Sequence, residues 1–263
     1  MRKLTAVCCL VLAATGCTNN RNGHMVSVAA AANLTAPLSE MERQFERLHP
    51  DIGLEVSFGA SGVLTTQILQ GAPFQVFLSA DTALPENLYA RGLTAGPPAV
   101  YAGGSLVLFS TTKRDFGRGL DLLASPDIRI ISLANPRTAP YGRAAMEALE
   151  NSNILAVVRG KITYAQTVAQ VAQQTLSAAD IGFIAKSSCF TAGLKDHNRP
   201  GVYWMEVDPA LYSPIRQAAV LLKKGAGTEA AGLFYDFIFS STAQKVFERY
   251  GYHTGPIDKR INE

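Results

Sequence analysis

The strongest constraint on this chain is a repeated change of apolar spacing, from short continuous runs to a three-and-four rhythm. Residues 26–30 form an apolar run. Leu34, Leu38, Met41, Phe45 and Leu48 follow, spaced by four, three, four and three, so all five fall on one helical face. The switch recurs. Residues 53–58, 76–79, 106–110, 128–133 and 181–185 read as strands, and 63–69, 84–91, 142–150 and 168–176 read as helices. Residues 203–207 and 218–222 add two more strands, and helices near 228–239 and 243–250 close the chain. Strands alternating with helices predict α/β architecture on parallel sheet, with a second unit beginning after Gly103-Gly104.

Size and composition agree. With 263 residues, 48% hydrophobic and 17% charged, the chain can bury one large core or two smaller ones and is not a disordered linker. There are 24 Lys+Arg against 21 Asp+Glu, and losing Arg2 and Lys3 with a leader leaves 22, a net charge of +1. The tightest basic pairs, Lys113-Arg114 and Lys223-Lys224, are too short to follow a phosphate backbone, so nucleic acid is not an expected partner.

The first residues read as an export signal. Arg2 and Lys3 precede an apolar stretch from residue 4 to 14, which as a helix rises about 16 Å. That falls short of the roughly 30 Å hydrocarbon core. Ala14-Thr15-Gly16-Cys17 resembles the lipobox of bacterial lipoproteins, with Ala14 where Leu is usual, and the resemblance implies lipidation of Cys17. The alternative is cleavage at the same small residues, leaving Cys17 a free thiol. Residues 1–16 are then the signal peptide and 17–25 a tether. Beyond Cys17 the remaining cysteine is Cys189, and His24, His49, His197 and His253 are isolated, so neither a bridge within the mature domain nor a metal site is expected.

Three small-residue turns carry the chemistry. The first is Ala29-Ala30-Ala31-Ala32-Asn33-Leu34-Thr35. Asn33 is either a helix cap worth about 1 kcal/mol or an amide donor to an anion at the helix entrance. The second, Phe58-Gly59-Ala60-Ser61-Gly62-Val63, carries one hydroxyl. A nucleophile elbow needs Gly where Val63 stands, and no histidine has a triad context, so Ser61 as the nucleophile of an exported serine hydrolase is the lesser reading. Capping by Ser61 is the bland one. The third, Asn135-Pro136-Arg137-Thr138-Ala139-Pro140-Tyr141-Gly142-Arg143, fixes a turn at a helix start. Tyr141 offers an N–H or a hydroxyl there, and Arg143 reads as a solvated residue pairing with Glu147.

The alanine run with Asn33, the Phe-Gly-Ala-Ser-Gly loop, Gly71-Ala72-Pro73 before Phe77-Leu78-Ser79-Ala80-Asp81, and Arg249-Tyr250-Gly251-Tyr252 occur in that order. Together they resemble the molybdate-binding proteins of bacterial ABC importers, over nearly the whole mature chain. The resemblance implies a type II periplasmic-binding-protein fold, with two α/β lobes and a ligand cleft between them. Lobe 1 is expected over residues 26–104 and 213–263 and lobe 2 over 105–212, with crossings near 101–105 and 211–215. It implies a solute carrier and not an enzyme, a monomer, no cofactor, and a permease as membrane partner. Molybdate or tungstate would be held as the oxyanion by neutral donors, carried over as Asn33 and Ser61 from one lobe and Tyr141 and Thr167 from the other, with backbone N–H groups dominant at the last two. Ala185 stands where some relatives place a Tyr donor, which makes Tyr141 its candidate substitute. Asp81 is read as structural.

The physics of the loops points the same way. A fully ionised dianion has acceptors only, so a site of pure donors satisfies it. A protonated phosphate needs an acceptor as well, and neither the Asn33 nor the Ser61 loop contains Asp or Glu. A regulator's effector-sensing domain shares the architecture, but an export signal and the lack of an added helix-turn-helix segment oppose that reading.

Overall fold

In a computed structural model of the chain, which describes residues 24–255, the alternating pattern becomes two five-stranded sheets flanked by helices. The expectations for the leader and Cys17 lie outside the described residues. The first lobe is built from β1 (His24–Ala31), α1 (Thr35–Leu48), β2 (Ile52–Gly59), α2 (Ser61–Leu69), β3 (Val76–Leu78), α3 (Ala83–Ala90) and β4 (Ala99–Gly104). The chain then enters the second lobe through β5 (Leu106–Phe109), β6 (Ile131–Ala134), α4 (Pro140–Asn151), α5 (Leu155–Val158), β7 (Ile162–Ala165), α6 (Val168–Ser177), β8 (Ile181–Ala185) and β9 (Trp204–Glu206). It returns as β10 (Ile215–Leu221), α7 (Glu229–Ile238) and α8 (Ser241–Arg249).

The sheets have orders β2-β1-β3-β10-β4 and β7-β6-β8-β5-β9. Neither is purely parallel. Three neighbouring strands in each are parallel, while β10 runs against β3 and β4, and β5 runs against β8 and β9. The inverted strand is in each case the one that follows a crossing between the sheets: Ser105 alone separates β4 from β5, and the chain reaches β10 through Tyr212, Ser213 and Pro214. Crossing the cleft brings the chain in from the opposite end, so it cannot add as another parallel βαβ unit.

Burial explains most of the elements. Leu34, Leu38, Met41 and Phe45 are buried, and Phe45 packs edge-on to Phe234 and Phe237 of α7. Leu48, at the last helical position, is 62% exposed and leaves the expected face. Strands β4 and β7 were not read from the sequence. β4 is an edge strand whose apolar stretch, Ala99 to Ala102, is cut short by two glycines, and β7 is an edge strand of four residues with Thr163 and Tyr164 exposed. The core of the second lobe extends across the cleft to Ala31, Ala60 and Ala80 of the first.

Candidate functional site

The small-residue turns converge between the lobes. Ala31, Ala32, Asn33, Ala60, Ser61 and Ala80 face Ala139, Pro140, Tyr141 and Val168 around one enclosed space. It is compact, a cavity of about 10 Å³, room for about one water. Among the described residues, no carboxylate, ammonium, guanidinium or imidazole lines it.

What lines it is the starts of helices. Ser61 opens α2, Tyr141 is the second residue of α4, and Val168 opens α6, so their N–H groups have no acceptor within their own helices. Asn33 lies in the 3-10 turn Ala32–Leu34 that leads into α1. Each helix start carries a fraction of a positive charge, so the arrangement favours an anion without a formal cation. The alanines matter because a larger side chain would fill the space and hold a ligand away from the backbone.

Ser61 is 1% exposed, and its Oγ accepts the Ala80 N–H at 3.0 Å. It does not cap α2, whose preceding residue is Ala60. With an acceptor bond already made to a donor, its own proton is free for the cavity. The hydroxyl therefore meets a backbone N–H and not a base. Of the histidines, His253 Nε2 lies 3.0 Å from Ser105 Oγ, His197 packs against Phe109 and Tyr203, and His49 against Phe45.

Asn33 is 5% exposed and does not cap α1. Its Nδ2 donates to Gln217 Oε1 and to the Tyr252 hydroxyl, both at 2.8 Å. Its Oδ1 is buried without a partner. Its carbonyl accepts from Tyr252 at 2.9 Å and from Ser187 of the second lobe at 3.0 Å. Tyr141, 2% exposed, turns its hydroxyl toward Gln217, whose Nε2 donates to it at 3.2 Å. Gly104 makes this possible, since a Cβ there would lie 2.2 Å from the Tyr141 hydroxyl. Tyr141 thus meets the cavity through its backbone, and Ala185, fully buried at the end of β8, lies in the second-lobe core. Burial holds the hydroxyls of Tyr101, Tyr141 and Tyr252 well above the ordinary tyrosine range, so all three stay neutral.

Thr167 stands apart from the other three expected ligand residues. Its hydroxyl caps α6 by accepting the Gln170 N–H at 3.2 Å, and it lines the adjoining groove with Gln67, Gln166 and Gln170. The residue beside it, Val168, lines the enclosed space.

Besides the Ser187 and Tyr141–Gln217 bonds, two further contacts among the described residues join the lobes beside the cavity. The Gly62 N–H donates to the Thr138 carbonyl at 2.9 Å. Arg143 pairs with Asp81 across the cleft, not with Glu147, whose carboxylate accepts the Ser213 N–H at 2.7 Å. Asp81 also receives Ser79 Oγ at 3.0 Å and the Leu84 N–H at 3.2 Å, so it braces α3 as well. Sequence reasoning missed this pair, and it missed Gln217 and Tyr101. The signal for Gln217 was an amide directly ahead of the apolar run Ala218 to Leu221.

Residues 26–253 match the family of bacterial extracellular solute-binding proteins. The chain belongs to that family. It is 38% identical over 231 residues to the molybdate-binding protein ModA of Azotobacter vinelandii, covering 86% of this chain and 89% of that one. The ModA of Rhodobacter capsulatus is 35% identical over 232 residues, covering 87% and 88%. The solved periplasmic molybdate-binding protein of Azotobacter vinelandii superposes with a TM-score of 0.80 at 31% identity, over 88% of this chain and 99% of that one. These likenesses carry a solute carrier with two lobes, and no serine hydrolase is among them.

Proposed function

We infer that this chain is the extracytoplasmic solute-binding component of an ABC importer, and that it captures molybdate, with tungstate as an alternative cargo, for delivery to a membrane permease. The observation that carries the reading is the enclosed space between the lobes, lined by helix starts and the Ser61 hydroxyl with no ionisable carboxylate or base. The likeness to molybdate-binding proteins over most of the chain supports the choice of oxyanion. Asn33 and Ser61 hold the ion from the first lobe, and Tyr141 and the Thr167–Val168 backbone hold it from the second. Lobe 1 spans residues 26–104 and 213–263, and lobe 2 spans 105–212. Cys17 is the lipidated residue that anchors a monomeric carrier to an envelope membrane through residues 17–23, a shorter tether than the expected 17–25 because His24 and Met25 belong to β1.

Each lobe holds only part of the donor set, so the closed form binds more tightly and the ligand selects it. Molybdate, tungstate and sulfate are acceptor-only dianions, whereas phosphate would leave its proton unpaired among donors, at a cost of about 1–3 kcal/mol. Sulfate has the same acceptor pattern as molybdate, so only the size of the closed cavity can separate the two. The test is calorimetry on residues 25–263 with the four anions side by side. Tight binding of molybdate and tungstate, with neither sulfate nor phosphate, is expected. Sulfate binding as tight as molybdate, or no oxyanion binding, overturns the assignment.

A further inference from the structure

The orphaned Oδ1 of Asn33 is the end of a chain of buried hydrogen bonds. Asn33 lines the cavity, and its Nδ2 is turned inward to Gln217 and Tyr252, so Oδ1 is the end of the amide left on the cavity side. An acceptor in that place repels an ion that itself offers only acceptors. Rotating the amide by half a turn corrects this, since N and O of an amide have nearly the same shape. Rotation of Asn33 alone would set its oxygen against Gln217 Oε1, so the two amides must reverse together.

The reversed pair satisfies every group. Gln217 Nε2 then donates to Asn33 Oδ1 and to the Tyr101 hydroxyl, which lies 2.9 Å from the present Oε1 position and donates its own proton to the Ser79 carbonyl at 2.9 Å. Gln217 Oε1 accepts the Tyr141 hydroxyl proton at the present 3.2 Å contact. Tyr252 gives its one proton to Asn33 Oδ1 across the present 2.8 Å contact, and the Asn33 carbonyl keeps the bond from Ser187. In the present orientation, by contrast, Asn33 Oδ1 lacks a donor and the Tyr141 proton lacks an acceptor. Gln217 is fully buried, so no water competes for either orientation.

We propose that Gln217 is a positioning residue that sets the direction of the Asn33 amide, so that Tyr141, Gln217 and Asn33 form a relay presenting a donor to the cavity and rejecting protonated oxyanions. It rests on the oxyanion-carrier reading above. In the opposite direction the same relay presents Oδ1, which would accept the proton of hydrogen phosphate. Selectivity between deprotonated and protonated ions is then a property of Gln217, which itself does not line the cavity.

The experiment compares wild type, Gln217→Met and Tyr141→Phe in the 25–263 chain, by titration with sodium molybdate and with inorganic phosphate at neutral pH. Gln217→Met keeps the volume and removes the amide. Tyr141→Phe removes only the last proton of the relay. Expected for Gln217→Met is a molybdate Kd raised at least 10-fold, with the ratio of phosphate to molybdate Kd lowered at least 10-fold. Tyr141→Phe should shift the ratio in the same direction by a smaller factor. A structural role alone would lower the melting temperature without moving the ratio. In wild type, the side-chain amide resonances of Asn33 and Gln217 should shift together on adding molybdate. If Gln217→Met does not fold, Tyr141→Phe and the amide resonances decide alone. An unchanged ratio in the folded variants, or an Asn33 amide that shifts while Gln217 does not, overturns the relay. Failure of wild type to bind molybdate overturns the carrier reading instead.

Discussion

Gly62→Ala separates the closing of the lobes from the stability of either one. Gly62 is the second residue of α2 and has no positive φ, so its backbone does not require glycine. Across the cleft the position is tight: an added Cβ would lie 2.9 Å from the Thr138 carbonyl oxygen and 3.1 Å from its Cα. The Gly62 N–H also makes its 2.9 Å bond to that same oxygen. With the lobes apart, the alanine meets neither atom and improves the helix by up to about 1 kcal/mol. With the lobes together, relieving the overlap costs about 1–3 kcal/mol, and a lengthened hydrogen bond loses about 0.5–1.5 kcal/mol more. The sum, about 1.5–4.5 kcal/mol, corresponds to a Kd raised roughly 10- to 2,000-fold. Calorimetry with molybdate measures the affinity, and thermal melting without ligand measures the free protein, which should melt no lower than wild type. An affinity within twofold of wild type would refute the claim that binding requires the Gly62–Thr138 approach. A ligand-free melting temperature several degrees lower would refute the claim that the conflict lies between the lobes.

Ser61→Ala removes a ligand donor and leaves the Ala80 N–H without its acceptor. It should raise the molybdate Kd about 5- to 150-fold, from the roughly 1–3 kcal/mol of such a loss, while the circular dichroism spectrum stays native; an unchanged affinity removes Ser61 from the site. Arg143→Met breaks the ion pair with Asp81 while leaving the bonds from Ser79 and Leu84 in place. Because the Arg143 side chain is 40% exposed, the loss should be about 0.5 kcal/mol. That is a two- to threefold weaker affinity at low salt that disappears in high salt, and a larger, salt-independent loss would contradict it. The pH response follows from the buried tyrosines. Burial raises the folded hydroxyls of Tyr101, Tyr141 and Tyr252 above their unfolded value of about 10. Their contribution to stability is therefore complete below about pH 10 and is lost as pH rises beyond it toward the folded values. Urea melts should show stability falling above pH 10, and the molybdate affinity should be flat from about pH 7 to 9; a bell-shaped profile in that range would mean an ionising group holds the ion.

Much of the fold was legible because burial imposes a period. Leu34 to Phe45 mark one face of α1, and the runs that became β1, β3, β5 and β8 are apolar because those strands are covered, while β2 at its sheet edge is buried only at Gly53 and Leu54. The edge strand β7 lacked that signal and in β4 it stops at two glycines, whereas the inversions of β5 and β10 had none, since strand direction depends on where the chain crosses the cleft. Within the site, Asn33, Ser61 and Tyr141 could be found because each sits where a small-residue turn meets a helix. Thr167 could be found too, but its own role as the α6 cap could not be told from ligation by type or position.

The sequence by itself determined which backbone segments can approach a small anion. Alanine and glycine at strand ends leave N–H groups uncovered, and the loops carry no carboxylate beside Asn33 or Ser61. Only the tertiary structure decided the partners of the long side chains. Arg143 reaches Asp81 across the cleft instead of Glu147 on its own helix, and Asn33 reaches Gln217 and Tyr252, 184 and 219 residues away. Local spacing specifies which face a residue occupies. A bond between distant residues depends on how two lobes are brought together, and the packing of the whole chain sets that.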